Sequence, residues 1–266
     1  MQTAISITVL IIITVLISVI LFFLIFLPKE NPLVTPGPRV LIFQCDNRPH
    51  LDFVKKTRSV NETLAKRFGW KYQFNNMPVI EGYHPAVCKI FETKTLLDTN
   101  KFKYDFIVFL DSDAWIFNPV TLDKMIKTLP DNKHGIFSRD PYIRINTFIN
   151  SGSFVIRIND FTCQMYDDLN EYVKKNDCNS WPYDQKPISD FVFKNRDKFL
   201  VYAPDVMNTP QGKVLRHSWP KTFKTCSVKQ EYTLLENLLL DDCAFPNKNE
   251  KGDEYKEEGK FDGPVK

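Results

Sequence analysis

Tyr104-Asp105-Phe106-Ile107-Val108-Phe109-Leu110-Asp111-Ser112-Asp113-Ala114-Trp115-Ile116-Phe117-Asn118-Pro119 is the stretch whose reading decides the fold. Phe106 to Leu110 is a continuous run of apolar, β-branched and aromatic residues, the pattern of a strand buried on both faces of a largely parallel sheet. The run stops at Asp111-Ser112-Asp113, and apolar residues resume from Ala114 to Phe117. Two carboxylates at the mouth of a buried strand repel each other and lose hydration, and a divalent cation between them removes both penalties. Oxygen ligands favour a hard ion, Mg²⁺ or Mn²⁺, which also takes phosphate oxygens. In an open α/β sheet, ligands bind at the carboxyl ends of strands, where this Asp-Ser-Asp lies. The alternative is a plain turn, with Asp111 capping the backbone and Asp113 facing water.

Upstream of this strand, Val87 to Asp98 has helical spacing, with Ile90, Leu96 and Leu97 apolar. Trp70 to Phe74 alternates and reads as a strand. Leu51 to Phe68 is a further helix, with Val54, Val60, Leu64 and Phe68 on its apolar positions and Gly69 at its stop. Arg39 to Cys45 is the first strand, ending in Asp46-Asn47-Arg48-Pro49, where a nucleotide base or ribose would be met. Strand, helix, strand, helix, strand predicts a parallel, doubly wound sheet. The glycine-rich dinucleotide fingerprint is absent, which argues against a Rossmann dehydrogenase.

Downstream, the pattern predicts a helix over Thr121 to Leu129 and a short strand over Gly135 to Ser138. From Thr147 to Arg157, two apolar runs are broken by Asn150-Ser151-Gly152-Ser153, whose glycine permits close backbone approach to a ligand. Phe161 to Lys174 is helical, Trp181 to Gln185 is a turn before Ile188 to Phe193, and Phe199 to Tyr202 is a strand. His217 follows within Leu215 to Lys221, and a last helix is expected around Tyr232 to Leu240. From Asn247 onward Lys and Glu dominate, so residues 246–266 read as a disordered tail.

At the other end, Ala4 to Leu27 has no charged residue and spans roughly 36 Å as a helix, enough to cross a bilayer. A cleaved signal peptide fits less well: there is no basic n-region, the apolar core is too long, and Leu27-Pro28-Lys29-Glu30 is no small-residue cleavage site. The expected organisation is an anchor over 1–27 with the lipid bilayer as partner of residues 4–27, a Pro-rich stem over 28–38, and one domain over 39–245. Lys29 and Arg39 follow the span, so the flanking charges do not support a lumenal domain. Asn61-Glu62-Thr63 is a glycosylation sequon. The six cysteines (Cys45, Cys88, Cys163, Cys178, Cys226, Cys243) lack zinc-ligand spacing; they suit either an oxidising lumen or buried thiols, and no pairing is legible. A formal net charge of +3 without a basic block argues against a nucleic-acid partner. Oligomeric state is not legible.

With these pieces placed, the chain from about Val40 to about Lys221 resembles the nucleotide-sugar glycosyltransferases of GT-A fold. More narrowly it resembles the galactosyl/mannosyl/xylosyl transferase group, glycosyltransferase family 34. The carriers are the LDSDAWI strand end, the NSGSF element some forty residues on, an acidic-Gln pair just after a Trp, and a later His in a basic stretch. The resemblance implies an α/β fold with a Rossmann-like, mostly parallel central sheet flanked by helices. It further implies a metal-dependent, retaining enzyme that moves a hexose, galactose from UDP-galactose in the first place, to a glycan hydroxyl. The alternatives are a GDP-mannose-dependent α-mannosyltransferase and a non-catalytic, membrane-anchored glycan-binding protein of the same fold. Many members of the group are short-stemmed single-pass Golgi enzymes, which implies a type II protein with its catalytic domain in the Golgi or ER lumen.

On the same resemblance, Asp111, Asp113 and His217 hold Mn²⁺ (or Mg²⁺) against the diphosphate. The family places this His among small residues and glycine, whereas here it stands in Arg216-His217-Ser218-Trp219-Pro220-Lys221. Asn150, Ser151 and Gly152 match a turn that lines the donor-sugar pocket, and Asp184 and Gln185 match the acidic-Gln pair near the sugar. A helix N-cap is the plain alternative for Asp184. Lys89 and Lys221 are candidate contacts to the donor diphosphate, and Trp115 and Trp219 are candidate sugar platforms, with a core role the alternative for the aromatic after the buried strand.

Overall fold

The computed structural model describes residues 37–101, 103–141 and 148–218. The expected span at 4–27, most of the stem, Trp219, Lys221, Cys226, Cys243, the helix at 232–240 and the tail lie outside the described residues. Among the described residues, no helix is long and apolar enough to cross a membrane.

The apolar runs become the inner strands of the sheet. Strands β1 (Val40–Asp46) and β3 (Phe106–Leu110) are buried at every position. They pair in parallel, with Ile42 opposite Val108 and Phe43 opposite Phe109. Successive side chains of a strand point to opposite faces. Val40, Ile42, Phe106, Val108 and Leu110 accordingly join one core cluster, and Leu41, Phe43, Ile107 and Phe109 join the other. This double burial is why the two runs carry no polar alternation. Strand β2 (Lys71–Asn76) lies at the sheet edge, paired with β1 alone and only partly buried, and its sequence does alternate. Helix α1 (Asp52–Arg67) links β1 to β2, and α2 (Pro85–Asn100) links β2 to β3. Gly69, at φ +70°, ends the connection after α1 as the sequence suggests. At the start of α2, a ring nitrogen of His84 accepts from the Ala86 N–H and Pro85 occupies the first turn.

After β3 come the short strand β4 (Ala114–Ile116), helix α3 (Pro119–Lys127) capped by the Asn118 side chain, and strand β5 (Gly135–Arg139). Strand β6 (Ile149–Arg157), helices α4 (Asp160–Lys175) and α5 (Gln185–Lys194), and strands β7 (Phe199–Tyr202) and β8 (Leu215–His217) complete the described part. The main sheet runs β2-β1-β3-β6-β5-β7, and β4 with β8 forms a separate two-stranded ribbon.

The sheet is mostly parallel, as expected, with one exception: β6 runs antiparallel to both β3 and β5. One expectation needs correction. The Asn-Ser-Gly-Ser element is not a turn between two runs but the interior of one nine-residue strand. Its polar side chains are stabilised there by partners from other elements. Ser153 donates to Asn208 Oδ1 at 2.7 Å, and the Asn208 amide donates to the Ser153 carbonyl at 2.8 Å.

Candidate active site

The Asp-Ser-Asp segment is a tight turn at the carboxyl end of β3, closed by the Ala114 N–H donating to the Asp111 carbonyl at 2.9 Å. A buried polar network grips its backbone. Gln44 Nε2 donates to the carbonyls of Asp111 (2.9 Å) and Ala114 (3.3 Å). Thr57 Oγ1 donates to the Ser112 carbonyl, and Asn61 donates to the Ala114 carbonyl at 3.1 Å and accepts from the Ile116 N–H at 3.0 Å. Ser112 donates its hydroxyl to Asp46, which also binds Arg48. Burial pushes the Asp46 carboxyl up, but the hydrogen bonds from Arg48 and Ser112 prevail and hold it below its usual range. With its carbonyls tied to the interior, the turn presents both Asp side chains to the cleft.

The sequon residue Asn61 is therefore a buried structural residue of α1, with both ends of its amide engaged. Of the cysteines, Cys45, Cys88, Cys163 and Cys178 are free thiols.

Opposite the turn stands His217. Strand β8 pairs antiparallel with β4, setting His217 across from Ala114. The loop before β8 is tied down by Asn208, whose amide also donates to Ser138 Oγ and the Asn150 carbonyl. His217 Nε2 consequently lies 3.1 Å from Asp113 Oδ1 and 3.7 Å from Asp111 Oδ2. One ligand atom from each of Asp111, Asp113 and His217 falls within a 4.8 Å set. Trp115, between them in sequence, is 1% exposed and belongs to the core, so it is no sugar platform.

Lys89, on the first turns of α2, reaches across the sheet end. Its Nζ lies 2.9 Å from Asp111 Oδ1 and 3.1 Å from Asp184 Oδ2. Asp184 occupies the N-cap position of α5 but makes no capping bond with its side chain; the carboxylate goes to Lys89 instead. The expected diphosphate contact of Lys89 is thus, in this structure, an ion pair with two carboxylates.

The electrostatics follow from this packing. Burial opposes charge on Lys89, yet Asp111 and Asp184 raise its pKa. Burial lifts the Asp111 carboxyl to about 6 against the pull of Lys89 and His217. Burial lowers the pKa of His217, but Asp113 and Asp111 outweigh it and leave the imidazole above its ordinary value. Three carboxylates against one ammonium leave two negative charges when His217 is neutral. That excess and the donor set, two carboxylates and one imidazole, fit a divalent ion.

The other predicted residues assemble beside this group through one that the sequence reading missed. Asn150 Nδ2 and Gln185 Nε2 both donate to Asp140 Oδ2, at 3.1 and 2.9 Å. Ser151 is buried in the same strand as Asn150. Gly152 lies across from Asp111, its carbonyl accepting the Asp111 N–H at 2.7 Å. Asp140, Gln44, Thr57 and Asn208 carry no motif; only the fold brings them to the site.

A cleft of about 430 Å³ opens over the carboxyl ends of β1 and β3, lined by Asp46, Arg48, Met77, His84, Lys89, Asp111, Asp113 and His217. At its rim, Asn179 accepts from the His84 N–H (2.6 Å) and donates to the Gly82 carbonyl (2.7 Å), joining two loops. Tyr183 stacks on His84 with centroids 3.9 Å apart. Trp181 projects from this rim, 65% exposed.

Among solved structures, the chain is similar to a glycosyltransferase involved in the glycosylation of the major capsid of PBCV-1. The two are 14% identical over 75% of this chain and 100% of that one, with a TM-score of 0.58. The fold is shared with that glycosyltransferase. The galactosyltransferase LgtC, in complex with donor and acceptor sugar analogues, overlaps 74% of this chain and 95% of its own at 12% identity and TM-score 0.49. Mouse xyloside xylosyltransferase 1 overlaps 70% and 99% at 12% identity and TM-score 0.46. No protein-family model and no curated protein matches the sequence.

Proposed function

We propose that this chain is a metal-dependent glycosyltransferase that moves a hexose from a nucleoside diphosphate sugar to a hydroxyl of a glycan, with retention at the anomeric carbon. The donor we put first is UDP-galactose. The observation that carries the reading is the convergence of Asp111, Asp113 and His217 at the strand ends of a cleft of about 430 Å³. The shared fold supports it.

Asp111, Asp113 and His217 would hold Mn²⁺, which when bound supplies Lewis-acid neutralisation of the leaving diphosphate. The nucleoside end of the donor would lie along Asp46, Arg48, Met77 and His84, the remaining wall of the cleft. Lys89 holds Asp111 and Asp184 in position and keeps a positive charge at the phosphate end. Asp184, buried and ion-paired with Lys89, would supply a fixed anion near the sugar ring, and such an anion stabilises an oxocarbenium-like transition state. Asp140, oriented by Asn150 and Gln185, offers acceptors to the sugar hydroxyls. The acceptor hydroxyl enters on the face from which the diphosphate departs and gives its proton to a leaving phosphate oxygen. Residues 4–27 would hold the enzyme at a membrane.

Incubating the full chain in detergent with Mn²⁺ and a panel of nucleotide sugars tests the reading. The expected result is hydrolysis or transfer from one UDP-hexose, abolished by chelator. A protein that is folded, binds Mn²⁺ and leaves every nucleotide sugar intact would refute catalysis and favour a glycan-binding role.

A further inference from the structure

Gly152 stands in the middle of a buried strand, where glycine is about 0.5–1 kcal/mol worse than alanine. Its backbone is not in the left-handed region, so any L-residue could adopt it. Both of its polar groups are engaged: its N–H donates to Asn150 Oδ1 at 2.9 Å and its carbonyl accepts from Asp111. Conformation does not require glycine here. Space does: a Cβ at this position would lie 2.8 Å from His217 Nε2, and closer still to Nδ1 and Cε1. The imidazole fills the volume that a side chain at 152 would occupy. It has little room to retreat, because His217 is 6% exposed, paired with Ala114, and bound through its N–H to the Thr209 carbonyl at 3.1 Å.

We propose that Gly152 is a positioning residue for His217: its missing side chain admits the imidazole to the point where Nε2 meets Asp111 and Asp113. The inference rests on the metal-site reading above and changes the role of Gly152 from lining a sugar pocket to shaping the metal site. It also explains how a histidine with no glycine beside it, between Arg216 and Ser218, can enter the group. The required small residue is supplied by β6, across the sheet end, rather than by the local sequence.

The test uses the full chain as wild type, Gly152→Ala, His217→Ala and the double variant. Mn²⁺ affinity is read by electron paramagnetic resonance, and thermal unfolding is followed without metal. Gly152→Ala is expected to weaken Mn²⁺ binding at least about tenfold, as His217→Ala does, with the double variant no weaker than His217→Ala alone. Without metal, Gly152→Ala should unfold at lower temperature, and adding His217→Ala should return part of that loss. Wild-type affinity in Gly152→Ala, or losses that add in the double variant, would overturn the proposal. So would a double variant that fails to fold where His217→Ala folds, since glycine would then be needed for something other than the ring. Failure of the metal reading has a separate signature, wild-type protein that binds no Mn²⁺; the metal-free unfolding cycle then decides the packing claim by itself.

Discussion

Asp111 is held among the Lys89 ammonium, the His217 imidazole and the carboxylates of Asp113 and Asp184, and that position makes it unlike its neighbour Asp113. Replacing either by Asn should abolish Mn²⁺-dependent UDP binding in a calorimetric titration. Their effects on the metal-free fold should differ. Lys89, whose side chain is 13% exposed, would keep only Asp184 in Asp111→Asn, and breaking one partner from a buried ion pair costs about 3 kcal/mol. Asp113→Asn leaves the Lys89 pairs intact, so denaturant unfolding should show the smaller loss; equal losses would mean that Lys89 does not depend on Asp111. The protons at this site carry a second expectation. His217 has a folded pKa above its ordinary 6.5, and Asp111 one of about 6 against an ordinary 3.8. Both groups therefore bind protons more tightly when folded, and both contribute stability that is lost as pH rises through those folded values. Metal-free protein should be more stable at pH 5 than at pH 8. Mn²⁺ needs both groups deprotonated, so its affinity should fall as pH drops through the same range. Opposite pH trends of thermal unfolding with and without Mn²⁺ check the sign.

At the scale of elements, the Asp-Ser-Asp turn depends on α1 as much as on β3. Thr57 and Asn61 project from α1 onto the turn, and Gln44 reaches it from β1. Asn61→Leu leaves the Ala114 carbonyl short of one donor and the Ile116 N–H without its acceptor, each buried loss costing about 1–3 kcal/mol. A destabilisation of about 2–4 kcal/mol is expected from chemical denaturation, with Mn²⁺ affinity reduced as well because the turn loosens. The same geometry predicts that active protein made in a glycosylating host carries no glycan at Asn61, which intact-mass analysis would show. A fully active species glycosylated there would contradict the buried position.

For the molecule as a whole, the sheet ends form the floor of the cleft and the joined loops around Gly82 and Asn179 form its rim. Val79 and Trp181, on those two loops, are large apolar residues 78% and 65% exposed. Trp181 stands three residues before Asp184, whose carboxylate is in the site. On the proposed function, this exposed indole at the rim suits the face of an acceptor sugar ring. Trp181→Ala should raise the acceptor KM about tenfold while leaving donor hydrolysis and Mn²⁺ affinity unchanged. An unchanged acceptor KM would place the acceptor elsewhere on the rim.

The run from Phe106 to Leu110 and its stop at Asp111 were legible because a strand buried on both faces must be apolar throughout, and carboxylates at its end require compensation. The helices around it were legible from their spacing and, after α1, from Gly69. By themselves these features determined an α/β fold with a carboxylate site at the strand ends. The direction of β6 was not legible, since an apolar strand reads the same parallel or antiparallel; pairing with β3 and β5 decided it. Nor were the partners of the site. Lys89 finds Asp111 and Asp184, 22 and 95 residues away in sequence, Asp140 gathers Asn150 and Gln185, and Gly152 makes room for His217. Those contacts depend on which side chains the sheet brings to one end, and a local pattern carries no record of that.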